Sequence, residues 1–143
     1  MNHDAYDPDN IFAKILRGEI PSHRIYEDDR TVAFMDVMPQ SRGHALVVPK
    51  HPSRNLIDAD SDTLSHLLFV VQKVARAARI ALHCDGVRIA QFNEAAAGQT
   101  VFHLHFHVIP VYESMPMKAH ASTMEDGNVL GELAMKYRVA LDM

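Results

Sequence analysis

The sequence predicts an α+β domain built round one antiparallel sheet, and three observations carry that prediction. Short strand-like runs, separated by turn-rich segments, recur in both halves of the chain. One long stretch, from about Asp60 to His83, instead repeats its apolar residues at helical spacing. No internal repeat and no linker-like stretch divides the 143 residues, so 1–143 reads as a single domain. A chain of this length buries roughly 70% of the surface its unfolded form exposes and needs no disulfide or metal to fold.

Taken in order, residues 1–9 read as a loose leader, because Asp7, Pro8 and Asp9 offer turn chemistry and no apolar period. Asn10 caps a short helix in which Ile11, Phe12, Ile15 and Leu16 recur at helical spacing; Gly18 ends it and Pro21 prevents its resumption. His23 to Glu27, Thr31 to Asp36 and Ala45 to Val48 are strands whose intervening turns, EDDR and MPQSRGH, favour antiparallel pairing. The long helix follows, with Leu64, Leu67, Leu68, Val71, Val74, Ala78 and Leu82 predicted as its buried stripe. Gly86 opens a strand to about Asn93, EAAAGQ (94–99) is a small-residue loop, and Val101 to Val111 is a last strand closed by Pro110. Residues 112–143 form a C-terminal extension, polar through Gly127 and then helical from Val129 to Leu141.

Composition excludes several classes of function. With 14 Lys+Arg against 18 Asp+Glu the net charge is −4, which argues against a nucleic-acid partner. No apolar run approaches the ~18 residues needed to span a bilayer, which excludes a membrane-spanning helix. The acidic, polar start MNHDAYDPDN does not resemble an export signal, and a single cysteine, Cys84, suits a reducing compartment, so the expected location is the cytoplasm.

Histidine is the unusual residue. Three of the ten fall at alternate positions, His103, His105 and His107, in HLHFHVIP. Helical geometry would scatter them, each step turning about 100°, whereas a strand puts all three on one face with neighbours about 6.6 Å apart. Two imidazoles at that distance can flank one phosphoryl group, while Leu104, Phe106 and Val108 face the core. An imidazole with a pKa near 6.5 is mostly neutral at pH 7, so its lone pair is available to attack.

HLHFHVI resembles the His-φ-His-φ-His-φ-φ signature of the histidine triad (HIT) superfamily. IFAKILRGEIPSHRIYEDD, VAFMDVMPQSRGHALVVPK and QFNEAAAGQTVFHLHFHVIP are similar to that family's blocks, in the same order, from about Asn10 to Val111. The first of these resembles the nucleoside phosphoramidase branch more than the dinucleoside polyphosphate hydrolase branch. The resemblance implies a HIT-like fold and transfer of a nucleotidyl group from a purine nucleoside monophosphate derivative to water, through a nucleotidyl-histidine intermediate. It implies His105 as the nucleophile, His107 as a contact to the same phosphate, His103 as an orienting partner and His44 as a histidine beside the site. It assigns Asn93, Gly98, Gln99 and Thr100 to phosphate and leaving-group contacts, and Asp36 to the ribose hydroxyls. Phe12, Ile15, Val37 and Leu46 become the apolar wall of the base pocket, and the assembly a homodimer.

One departure concerns metal. Relatives with Cys-x-x-Cys at the start of the first helix bind zinc through those cysteines, a later histidine and the first triad histidine; here Asn10 and Ala13 stand in the cysteine positions. His51 and His103 alone make half a site, so neither metal nor other cofactor is expected. Other readings of the same residues stay open. His-x-His can present ligands to a metal, Asp36 can cap a turn before Pro39, residues 95–98 can be only a tight connection, and His44 and His51 can be hydrogen-bonded structure. A non-catalytic nucleotide-binding regulator and a dinucleoside polyphosphate hydrolase are the rival functions. His3, His23, His66, His83 and His120 read as surface or incidental, and Cys84 as a small apolar residue at a helix end.

Overall fold

The computed structural model describes residues 5–143; His3 and the first part of the leader lie outside the described residues. Helix α1 (Ile11–Leu16) begins where predicted, with the Asn10 side chain accepting from the Ala13 N–H, and Gly18 leaves it at φ 79°. Five antiparallel strands follow: β1 (Arg24–Glu27), β2 (Thr31–Met35), β3 (Ala45–Pro49), β4 (Gly86–Ala90) and β5 (Phe106–Val111). They form one sheet in the order β1-β2-β3-β5-β4. Helix α2 (Ser61–Leu82) separates β3 from β4, and α3 (Gly127–Leu141) ends the chain. The sequence-based α+β class is therefore correct.

The two faces of the sheet are covered differently, and the pleat sorts residues between them. Ala33 and Met35 of β2, Ala45 and Val47 of β3, and Phe106 and Val108 of β5 join the core beneath α2 and α3. Val32, Phe34, Leu46 and Val48 point the other way, into a smaller core with Phe12 and Ile15 of α1. Because both faces are covered, β2 and β3 are buried along their whole length, which explains why TVAFM and ALVVP read as continuous apolar runs.

Two predicted elements are corrected. On α2 the buried residues are Leu67, Val70, Val71, Val74, Ala77, Ala78 and Leu82, whereas Leu68 is 51% exposed. Leu68 sits about 100° round the helix from Leu67 and so leaves the stripe. The final strand is shorter than Val101 to Val111, since Val101 to His105 are irregular and pairing begins at Phe106. Pro110 lies inside β5 rather than closing it. Its partner is Val87 of β4, while pairing with β3 stops at Val108, so the missing N–H removes no bond on that side.

Helix α3 is tied to the turn between β2 and β3. The buried Tyr137 hydroxyl donates to the Gly43 carbonyl at 2.6 Å, next to His44. Tyr137→Phe keeps the ring and strips that carbonyl of its partner, which should lower stability by about 1–3 kcal/mol. Urea denaturation should show an earlier midpoint with an unchanged slope.

Candidate active site

The site lies on the α1 side of the sheet, where β5 meets β3. His107 is on β5, paired with Leu46 on one flank and Ala90 on the other. His105 precedes the strand, and its ring lies 5.0 Å from that of His107 and 4.9 Å, edge to face, from Phe12. Both histidines line a cavity of about 210 Å³ that also takes in Phe12, Ile15, Asp36, Val37, Leu46 and Thr100. His103 is fully buried and makes no part of that lining. Leu104, Phe106 and Val108 enter the larger core as expected.

Hydrogen-bond partners fix every tautomer in the group. The Gln40 backbone N–H donates to His44 Nδ1 at 3.0 Å, so the His44 proton is on Nε2. That N–H donates to His107 Nδ1 at 2.9 Å, which places the His107 proton on its own Nε2. Nε2 of His107 is buried without an acceptor among the described residues, an N–H in want of a ligand oxygen. His105 Nδ1–H donates to the His103 carbonyl at 2.7 Å, leaving the His105 Nε2 lone pair uncommitted. His103 is held at both ends: its Nε2–H donates to the Pro49 carbonyl at 2.7 Å and its Nδ1 accepts from the Tyr6 hydroxyl at 2.6 Å. An acceptor lone pair and a donor N–H therefore sit on adjacent rings.

Burial keeps these rings neutral. It is the largest cause depressing the pKa of His44 and His107 to about 3 and that of His103 to about 4, and it lowers His105 as well. Asp36 is raised, again chiefly by burial. One of its oxygens accepts from the Met38 N–H at 2.8 Å, as a turn cap would, and the other lies 3.5 Å from His44 Nε2 at the cavity. Turn-capping and ligand-facing roles are thus compatible in this residue.

Asn93, Gly98 and Gln99 are not among the residues that line this cavity. Gln99 is buried and its amide is engaged with Glu94 N–H, Asn55, and the carbonyls of Arg54 and Val101. Asn93 accepts from Leu56 N–H and pairs with Gln91. Gly98, at φ 105°, closes a single 3₁₀ turn (Ala95–Ala97) in which its N–H donates to Ala95 and that of Gln99 donates to Glu94. These residues brace the loop that leads to His103.

No metal fits the remains of the zinc arrangement. Asn10 Oδ1 is engaged in the cap, Ala13 offers no ligand, both His103 nitrogens are occupied, and His51 lines a separate surface cleft. Asp36, His44 and His107 do converge, with ligand atoms within 4.8 Å of one another, but His44 Nε2–H already donates to His107 Nδ1. Two contributors went unread in the sequence. Tyr6 belongs to the supposed leader and His120 to the polar extension, and only tertiary folding brings them to the histidines.

His105, with an uncommitted lone pair, and His107, with an unpartnered N–H, line one largely apolar cavity beside the sheet, a histidine-centred candidate site. The chain belongs to the HIT family: residues 17–114 match the family model described as HIT domain. It is 52% identical to a Hit-like protein of Bartonella henselae, described as involved in cell-cycle regulation and solved with an unknown ligand; the match covers 95% of this chain and 99% of that one, with a TM-score of 0.89. A zinc-bound histidine triad family protein of Mycobacterium smegmatis is 38% identical over 94% of each chain, with a TM-score of 0.81. A HIT family hydrolase of Clostridium thermocellum is 33% identical over 76% of this chain and 95% of that one, with a TM-score of 0.65.

Neutral burial of His44, His103 and His107 makes stability depend on pH in a defined direction. Their folded pKa values, about 3 to 4, lie below the unfolded value near 6.5, so the unfolded chain binds more protons in between. Their contribution is complete above about pH 6.5 and is lost on acidification toward the folded values, by roughly 1 kcal/mol per pH unit from each. The urea midpoint should fall steadily from pH 7 to pH 5, before most carboxylates titrate; a flat profile there would refute the assigned protonation states.

Proposed function

We propose that this protein hydrolyses purine nucleoside monophosphate derivatives at the α-phosphorus, cleaving a P–N or P–O bond by the nucleoside phosphoramidase chemistry of its family. The observation that carries this reading is the tautomer chain from Gln40 to His107, beside the free lone pair of His105. His105 Nε2 attacks phosphorus and forms a nucleotidyl-histidine, and the His107 N–H donates to a non-bridging oxygen as charge develops there. His103 and His44 act on those two rings from behind, by fixing which nitrogen bears the proton. Water then attacks the intermediate and frees His105. Membership of a family with a named hydrolase supports turnover over simple binding.

Phe12, Ile15, Leu46 and the 42%-exposed Val37 supply the apolar walls a purine would stack on, and the cavity-side oxygen of Asp36 suits the ribose hydroxyls. Thr100, which lines the cavity, suits the phosphate end. We further infer a homodimer. β4 is an edge strand whose Ile89 is 43% exposed, an unpaired border that a second copy can cover. The reading needs no metal, no nucleic acid and no membrane, and we place the protein in the cytoplasm. No described helix is long and apolar enough to cross a membrane.

Two measurements test this. His105→Asn should reduce turnover of an adenosine phosphoramidate by about 10⁴-fold or more while adenosine monophosphate affinity stays within a few-fold. A variant that retains a tenth of the wild-type rate, or one that loses binding in proportion, would exclude His105 as nucleophile. For Asp36, wild-type protein should bind adenosine monophosphate about 10-fold more tightly than its 2′-deoxy analogue, since a missing hydroxyl leaves a carboxylate underpaired at about 1.5 kcal/mol. Calorimetric titration of Asp36→Asn should show weaker ribonucleotide binding and a smaller ratio; an unchanged ratio would mean that Asp36 does not read the sugar.

A further inference from the structure

Beyond β5 the chain does not leave the site. Between Tyr112 and Asp126 it crosses back over the loop that joins β2 to β3 and is pinned there twice, Lys118 N–H donating to the Gln40 carbonyl at 2.7 Å and Glu125 N–H to the Val37 carbonyl at 2.9 Å. Between those pins the backbone bends through Ala121, at φ 51°, and His120 and Ala121 enter the cavity lining. The His120 ring stands edge to face against His107, with 5.5 Å between centroids. Its residue is nonetheless solvent-exposed, and it makes no hydrogen bond to another described residue.

That combination matters because of what the other four imidazoles cannot do. An amine expelled from phosphorus leaves as a stable molecule only if a proton reaches it. His107 cannot be the source. Giving up its single N–H would leave an imidazolate, and charging it would set an N–H on Nδ1 against the N–H of His44, whose tautomer the Gln40 amide fixes. His44 has both nitrogens in that same chain. His103 is bonded at both ends, and His105 has one nitrogen tied to a carbonyl and the other assigned to attack. Among these five rings His120 alone has both nitrogens uncommitted and open contact with water, so it can collect a proton outside and deliver it inside.

We propose that His120 is the proton donor to the leaving group, a fifth histidine of this group, supplied by the C-terminal extension. This rests on the hydrolase reading above. In the first step the His105 Nε2 lone pair forms the N–P bond, the pair of the breaking P–N or P–O bond goes to the leaving atom, and the proton of a charged His120 follows it. In the second step a water oxygen forms the new P–O bond, the N–P pair returns to His105, and the now neutral His120 takes the water proton. Both histidines end as they began.

The test varies the leaving group. Adenosine 5′-phosphate carrying an alkylamine needs the proton; the 4-nitrophenyl ester expels a stabilised phenolate and depends on it far less. Wild-type protein and His120→Gln, which keeps polarity at an exposed position but cannot shuttle a proton, are compared on both substrates. The expected result is a loss of kcat/KM on the amidate about thirtyfold or more greater than the loss on the ester. An equal loss on both substrates would make His120 a phosphate contact and overturn its role as acid, and so would no loss on either. If wild-type protein turns over neither substrate, the hydrolase reading fails and takes the donor role with it. Turnover of both through a trapped nucleotidyl-protein, with an indifferent variant, removes His120 alone.

Discussion

The backbone amide of Gln40 governs the chemistry of the site although it touches no ligand. By donating to His44 it decides which nitrogen of that ring holds the proton, and through His44 it decides the same for His107. A side chain in its place could rotate or ionise; a peptide N–H can do neither, so the order of donors and acceptors is built into the main chain. The loop that carries Gln40 is in turn held by α3 through Tyr137 and by the returning extension through Lys118. Tertiary structure far from the cavity thus sets the polarity of two imidazoles within it.

Keeping so many histidines neutral and buried opposes folding on acidification, and the architecture offsets this with apolar burial on both faces of the sheet. β2 and β3 each contribute to two cores at once. Both ring nitrogens of His44 and of His103 are hydrogen-bonded, which leaves the His105 Nε2 lone pair and the N–H of His107 as the two without a partner among these four rings. An unsatisfied buried donor is where a ligand oxygen would gain most.

The sheet, both long helices and the cap at Asn10 were legible because they depend on local chemistry: periodicity, a small polar cap and turn residues. So was the pairing of His105 with His107, since alternate residues in an extended chain share a side. What failed followed from context. Leu68 is as apolar as Leu67 but sits off the stripe, and the strand expected from Val101 starts only at Phe106, because the preceding turn is bound to the loop at Arg54 to Asn55 through Gln99. The hydrogen bonds that tie Gln99 and Asn93 into that loop likewise depend on residues distant in the sequence. Tyr6 and His120 carried no signal at all in one dimension, since neither belongs to a periodic or motif-like run and each reaches the histidines only through the fold.

Adjacent positions on β2 serve separate masters. Val32 and Phe34 look toward α1 and the cavity side, Ala33 and Met35 toward α2 and α3. Phe34 lines the cavity, so a substitution there changes its wall, whereas Ala33 belongs wholly to the core beneath the helices. One short strand thus carries the wall of a cavity and the packing of a core at successive residues.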